Sequence, residues 1–282
     1  MTKLPELKDD GLITPEIGAW GEEKYRLVSI YAKMFATSMK GKWDCRVYID
    51  LFAGAGRARI ENTKRIIPAS PILALNIPDK FDKYIFCEVN PSNMQALQER
   101  VSRDYPNVTC QFILGDTNKS VDRILQEIPI PRRGFKVLCF CFVDPFKLEN
   151  LKFDTIRRLS SRFVDFLILI PSGMDAHRNI ANYIKQTNRT VDSFLGTSNW
   201  RDEWKQAESQ GEGFGHHLVR RFGKQMEEIG YIDLGIEETV HIRSTEKNLP
   251  LYHLAFFSRS ALGRKFWKDA KRYSQDQRPL FE

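Results

Sequence analysis

The sequence is poor in the features that mark several large protein classes. Its 282 residues contain no run of about 18 apolar residues, so no transmembrane helix is predicted. The first residues, MTKLPELKDDGLITPEIG, lack a basic start followed by an apolar stretch and read as a polar arm, not a secretory signal. There are only five cysteines, Cys45, Cys87, Cys110, Cys139 and Cys141, and none shows CxxC spacing, so no disulfide framework or zinc ribbon is predicted. All five lie in or beside apolar, strand-like runs and read as small buried residues of a reducing cytoplasm. Cys139 and Cys141 fall on one side of a strand, and a shared pocket is the other reading of that pair. The five histidines are scattered without zinc spacing, and the adjacent His216 and His217 give no ligand geometry by themselves. No internal repeat and no low-complexity segment is present.

What is present is the balance of a globular protein with a real core: 42% hydrophobic and 28% charged residues. The net charge of +7 and pI of about 9.1 favour a polyanionic partner, nucleic acid first, against the plainer reading of an ordinary basic enzyme. No membrane partner is expected.

Hydrophobic periodicity then sets the organisation. Residues 1–19 form the arm, and 20–282 read as a single domain. Within that domain CRVYIDLF, KYIFCEV, VTCQFIL, FKVLCFCFVD and VDFLILI are five apolar strands. Amphipathic helices alternate with them, among them SPILALNI, with Ser70 as N-cap and Pro71 at its first position. This alternation predicts an α/β fold with a doubly wound, Rossmann-like parallel sheet covered on both faces. Residues 172–212 are polar, with tryptophans and arginines and no strand, and are expected to be a helical insertion after the fifth strand. YIDLGIEETVHI and LPLYHLAFFSR read as a closing hairpin around the turn RSTEKN. A last helix over about 260–273 should turn Phe266, Ala270 and Tyr273 inward. Seven strands ending in a hairpin are similar to the S-adenosylmethionine-dependent methyltransferase fold, whose seventh strand is antiparallel.

Four strand ends carry suitable chemistry. YIDLFAGAGRARI closes a strand with Asp50 and opens the small-residue loop Ala53-Gly54-Ala55-Gly56, where a chain turning sharply into a helix also lets a ligand approach its backbone. The next strand ends at Glu88, a carboxylate for two ribose hydroxyls, and the third at Asp116, an acceptor for an adenine amine. Each acid alone also reads as a loop carboxylate or helix cap. A dinucleotide site would want a third glycine where Arg59 stands, and about 20 residues to its acid where this chain has roughly thirty. Those two departures favour S-adenosylmethionine as the cofactor. The fourth strand ends in Asp144-Pro145-Phe146. The Asp144 carboxylate and the carbonyls near Pro145 can hold a target amine, and Phe146 can stack on an extruded base. The plain alternative is a structural turn capped by the aspartate.

From about residue 20 to 270 the chain resembles the three-Cys-motif partner protein (TcmP) family. The stretches YIDLFAGAGRARI, ASPILAL, FDKYIFCEVN, LGDTN, FVDPF, VDFLILIPSGMDAHRN, FLGTSNW and LYHLAFFSRSALGRKFW carry the resemblance. Ala69 stands where that family has glycine. The family's association implies a radical-SAM-like partner bearing a three-cysteine motif, and a nucleic-acid repair or modification setting. The first half also resembles the ribosomal-RNA adenine-N6 methyltransferases through its Ala-Gly-Ala-Gly loop. In those enzymes the fourth-strand motif is Asp-Pro-Pro-Tyr; here one proline is absent and phenylalanine replaces tyrosine. That second resemblance implies that Lys24, following Trp20, approaches the cofactor's carboxylate.

These observations lead to an expected methyltransferase acting on an exocyclic amine of nucleic acid, metal-free and cytoplasmic, with Arg178, Lys185, Arg189 and Arg201 of the insertion holding the substrate. A catalytically silent methyltransferase-fold module that binds partner or nucleic acid is the main alternative. An NAD-linked oxidoreductase is a distant third.

Overall fold

The sheet follows from side-chain alternation. In the computed structural model, which describes residues 3–232, 235–244 and 249–276, the core strands are β2 (Cys45–Asp50), β5 (Lys83–Glu88), β6 (Cys110–Leu114), β7 (Val137–Val143) and β8 (Val164–Ile170). Successive side chains of a strand point to opposite faces. Tyr48, Phe86, Phe140 and Phe142 therefore build an aromatic core on one face, while Val47, Ile49, Cys139 and Cys141 build an aliphatic core on the other. The aromatic face is covered by α1 (Trp20–Met39), α2 (Ser70–Asn76), α3 (Pro91–Asp104) and α10 (Ala261–Asp276). The other face is covered by α4 (Thr117–Glu127), α5 (Phe153–Leu159) and α9 (Phe214–Glu228). Tyr31 of α1 sits between Phe140, Phe256 and Trp267, with ring centroids 4.5–5.7 Å away.

The closing strands are β9 (Val240–Arg243) and β10 (Pro250–Phe257), and the seven-stranded order is β6-β5-β2-β7-β8-β10-β9. All neighbours are parallel except β10, which runs antiparallel to both β8 and β9. The predicted α/β class, doubly wound sheet and antiparallel seventh strand are all present. The sixth strand is shorter than the pattern suggested. Among the described residues of 231–242, strand begins at Val240, after a 3-10 turn at Ile236–Glu238. Residues 233–234 and 245–248, the latter in the expected RSTEKN turn, lie outside the described residues, as does the side chain of Tyr273. Among the described side chains of α10, Trp267 and Ala270 are buried in the aromatic core, with Phe266 only partly covered.

Three more expectations change. The glycine loop does not lead into a helix. It leads into β3 (Arg57–Ile60) and β4 (Ile66–Pro68), an antiparallel pair that accounts for the long spacing between Gly56 and Glu88. Ser70 is the first residue of α2 and Ala69 its cap. The arm, expected as a polar segment ahead of the domain, packs onto it. Its β1 (Glu16–Ile17) pairs parallel with β3, Leu4 is buried against Tyr25 and Ile67, and Leu7 bonds to Ile66. Arg100 of α3, fully buried, pins this arm. It donates to both oxygens of Asp10 (2.7 and 2.9 Å), to the Ile13 carbonyl, and to the Ala55 carbonyl of the glycine loop (2.6 Å).

The insertion is helical as expected, with α6 (Met174–Tyr183), α7 (Thr190–Leu195) and α8 (Trp200–Ser209). It packs into the body of the domain, since Val191, Phe194, Trp200 and Trp204 join the aliphatic core.

The Arg100–Asp10 latch yields a stability prediction. Asp10→Ala leaves a buried guanidinium without its carboxylate and is expected to cost about 3 kcal/mol in urea denaturation. Hydrogen bonding to Arg100 holds the Asp10 carboxyl below its ordinary 3.8, so this contribution is complete above that value and fades as pH falls below it. A loss under about 1 kcal/mol would mean the arm is not held by this pair.

Candidate active site

The carboxyl ends of β5, β2 and β7 place three acids side by side, and the chain accommodates each differently. Gly54 (φ +61°) and Gly56 (φ +79°) bend the loop after β2 through a region that side chains avoid. A Cβ on Gly56 would lie 2.8 Å from Leu97 and 3.1 Å from Ile72, so glycine is required there for packing. A Cβ on Gly54 would meet nothing within 4 Å. The loop is stitched to its neighbours: Ala53 donates to the Cys87 carbonyl (2.9 Å) and Leu51 to the Phe142 carbonyl (3.1 Å).

Glu88 is buried. One of its oxygens accepts the Gly54 N–H and the other the Asn90 N–H, both at 2.8 Å. Asp116 caps α4 by accepting from the Asn118 and Lys119 amides through a single oxygen, Oδ1. Its cap role, one of the two readings of this acid, is therefore present. Asp50 is fully buried. It accepts the Phe52 N–H at 3.2 Å and the Tyr48 hydroxyl at 3.4 Å, and hydrogen-bonds Ser70. Burial pushes its carboxyl up to about 7, the charge of Asp144 adds to that, and the bonds from Ser70 and Phe52 oppose it.

Asp144 follows β7, and its Oδ2 accepts from Lys24 Nζ at 2.5 Å. Lys24, expected at the cofactor's carboxylate, is thus engaged with Asp144, and its ammonium also lies 4.5 Å from the Tyr25 ring centre and 5.2 Å from that of Trp20. Burial alone would lower the Lys24 pKa; the adjoining Asp144 charge outweighs it and holds the lysine above its ordinary value. Pro145 is buried, whereas Phe146 is 73% exposed. Phe146 lines a cleft of about 390 Å³ with Trp20, Lys147, Pro171, Arg178 and Tyr252, in which the Trp20 and Tyr252 rings lie 5.1 Å apart.

The four basic residues expected to hold substrate are divided by the structure. Arg178 is exposed at this cleft. Lys185 is exposed on the insertion, and Arg189 is exposed but paired with Asp192 at 2.8 Å. Arg201 is a correction. It is buried, bonded to Asp192 at 2.5 Å, and donates to the carbonyls of Tyr183, Ile184, Lys185 and Asn188. It organises the α6–α7 connection and has no donor turned to a ligand. Sequence reading missed Tyr252, which reaches the cleft from a strand remote in sequence, and treated Trp20 only as a landmark.

The strand order, with its antiparallel seventh strand, is that of the Rossmann-like fold of the S-adenosylmethionine-dependent methyltransferases. The chain is similar to a Legionella pneumophila protein of the DUF519 family, with 11% identity, a TM-score of 0.53, and coverage of 90% of this chain and 92% of that one. This likeness shows the fold. More distant similarities are to Pyrococcus horikoshii Trm1 in complex with S-adenosyl-L-methionine (10% identity, TM-score 0.44, 94% and 64% of the two chains) and to the Streptomyces achromogenes O-methyltransferase TomG in complex with SAM (9%, 0.42, 80% and 79%). No protein-family model and no curated protein matches the chain. No helix among the described residues is long and apolar enough to cross a membrane.

Asp50 gives this site a measurable signature. With its pKa raised from 3.8 to about 7, the folded protein keeps a proton that the unfolded chain releases, so the Asp50 contribution to stability falls as pH rises between those values. Asp50→Asn abolishes that term. Relative to wild type the variant should gain roughly 2 kcal/mol between pH 5 and pH 8 in urea denaturation. An equal difference at both pH values would show that Asp50 does not titrate in this way.

Proposed function

We propose that the protein is an S-adenosylmethionine-dependent methyltransferase acting on an exocyclic amine of nucleic acid, in the manner of the adenine-N6 enzymes. The observation that carries this reading is the meeting, on one sheet edge, of the Glu88–Gly54 contact and the Lys24–Asp144 pair beside an aromatic cleft.

The residues present fit the cofactor. The open side of Gly54 admits a ligand against the backbone, next to Ala53. Each Glu88 oxygen spends one acceptor position on a backbone N–H and retains capacity for a ribose hydroxyl. Asp116 concentrates its cap bonds on Oδ1, leaving Oδ2 to the adenine amine. Asp50 acts beneath the loop by holding Phe52, and Gly56 by close packing. When bound, the cofactor supplies an electrophilic methyl on a positively charged sulfur.

The chain's own residues then position the acceptor. Lys24 holds Asp144 through Oδ2, and Oδ1 accepts an N–H of the target amine. A carbonyl of the Pro145 turn accepts the other N–H, which aims the nitrogen lone pair along the line of transfer. Phe146, with Trp20 and Tyr252, stacks on the extruded base and excludes water. Lys147 and Arg178 at the cleft, with Lys185 and Arg189 along the insertion, meet backbone phosphates. Rate enhancement of this kind rests on orientation and desolvation and needs no strong base. The resemblance to the TcmP family supports a cytoplasmic repair or modification setting with a radical-SAM-like three-Cys-motif partner.

One observation favours a second reading, a methyltransferase-fold module without transfer activity: Lys24 already occupies an acceptor oxygen of Asp144.

Transfer of labelled methyl groups to mixed RNA and DNA separates the two. Wild type is expected to methylate nucleic acid, whereas folded Asp144→Ala should lose transfer and keep cofactor affinity. Phe146→Ala should cost about 1–3 kcal/mol if a base stacks there. Glu88→Ala should weaken S-adenosylmethionine binding by about 1.5–3 kcal/mol in calorimetry. Wild-type rates in folded Asp144→Ala would remove Asp144 from the amine site. No transfer by wild type, with or without the partner, would favour the silent module.

A further inference from the structure

Three histidines distant in sequence meet beyond the other face of β10. His216 lies in the first turn of α9, His241 on β9 and His253 on β10. Their ring centres are 4.1 Å apart for His241 and His253, 5.6 Å for His216 and His253, and 6.1 Å for His216 and His241. One ring nitrogen from each lies within 4.8 Å of the other two. The sequence spacing gave no sign of this, because strand pairing and helix packing create it.

Three features make this a built site. First, the β9–β10 register sets His241 directly opposite His253, on the same face of the sheet. Second, the Ser172 hydroxyl hydrogen-bonds Nδ1 of His253, while Nε2 of that buried ring has no hydrogen-bond partner. A buried polar atom left unpaired is destabilising, a cost that a bound ion would offset. Ser172 thereby fixes the ring orientation, as outer-shell partners of metal-binding histidines do. Third, two glycines permit the approach. A Cβ on Gly215 would lie 2.1 Å from the Ser172 carbonyl oxygen, and one on Gly173 would lie 2.1 Å from the Pro250 carbonyl oxygen. No side chain fits at either position, and these contacts bring the start of α9 onto β10.

We propose that His216, His241 and His253 form a three-imidazole site for a first-row divalent ion of the Zn²⁺ class, with a fourth position open to water. Zinc–nitrogen bonds of about 2.0–2.1 Å require nitrogens about 3.4 Å apart in a tetrahedron. Small rotations of His216 and His241, both at the surface, close the observed spacing to that value. An all-nitrogen donor set selects Zn²⁺, Cu²⁺ or Ni²⁺ over Mg²⁺ or Ca²⁺. Neighbouring strand residues face opposite ways. Tyr252 therefore walls the aromatic cleft while His253 faces the ion, and metal binding would stiffen the strand that carries both. The proposal does not depend on the methyl-transfer reading.

The test is calorimetric titration of the chelator-treated full chain with Zn²⁺, followed by the visible spectrum with Co²⁺. The expected result is one equivalent of Zn²⁺, the intense bands of four-coordinate Co²⁺, and a melting temperature raised by Zn²⁺. Loss of an outer-shell partner alone costs about 10–100-fold in metal affinity, so His216→Ala and His241→Ala should each weaken binding at least about tenfold. Both are surface changes that leave the fold intact. His253→Ala is the buried counterpart, and its effect counts only if its circular dichroism matches wild type. No Zn²⁺ uptake by folded wild type at micromolar concentration, or equal uptake by the His216→Ala/His241→Ala double variant, would overturn the proposal.

Discussion

The ion pair between Lys24 and Asp144 ties the first helix to the strand-tip edge of the candidate site. Three neighbouring strand tips deliver carboxylates to one small region, and three bare charges there would repel one another in a partly dehydrated setting. The chain resolves this in three ways. Burial pushes Asp50 towards the protonated form, Glu88 is held by two backbone N–H groups, and Asp144 receives a lysine from α1. A buried pair of this kind is weak evidence for stability, since desolvation offsets its attraction, but its directionality fixes geometry. It ties the first helix to the end of the fourth core strand, two residues before the Phe146 that lines the aromatic cleft.

The second support is the N-terminal arm. Arg100 reaches from α3 to the arm at Asp10 and to the glycine loop at Ala55. The loop that would face a cofactor is therefore braced from behind by residues that precede the first core helix. The β3–β4 pair, inserted between the loop and α2, supplies the surface on which the arm adds its short strand.

Much of this was legible in the sequence, for physical reasons. Fully buried parallel strands are long apolar runs, so the core strands and their acidic tips were visible, whereas the antiparallel seventh strand was expected only from similarity to a known fold. Interactions between distant segments were not legible. The arm looked polar because Asp9 and Asp10 make it so, yet Asp10 is polar in order to meet a buried Arg100. Arg201 looked like a phosphate contact, and only the fold shows its donors taken by carbonyls of the α6–α7 connection. The glycine loop suggested a helix because glycine reports a sharp turn and carries no signal for the element beyond it. His216, His241 and His253 carried no spacing signal because their proximity depends on the β9–β10 register and on Gly215.

The central claim is that the strand-tip edge from Asp50 to Asp116 receives S-adenosylmethionine. Amide hydrogen exchange of the full chain with and without that compound tests it most directly. The account predicts slowed exchange confined to the Ala53–Gly56 loop, the residues around Glu88 and the start of α4, with α8 unchanged. Unaltered exchange along that edge at saturating S-adenosylmethionine, or protection located elsewhere, would contradict it.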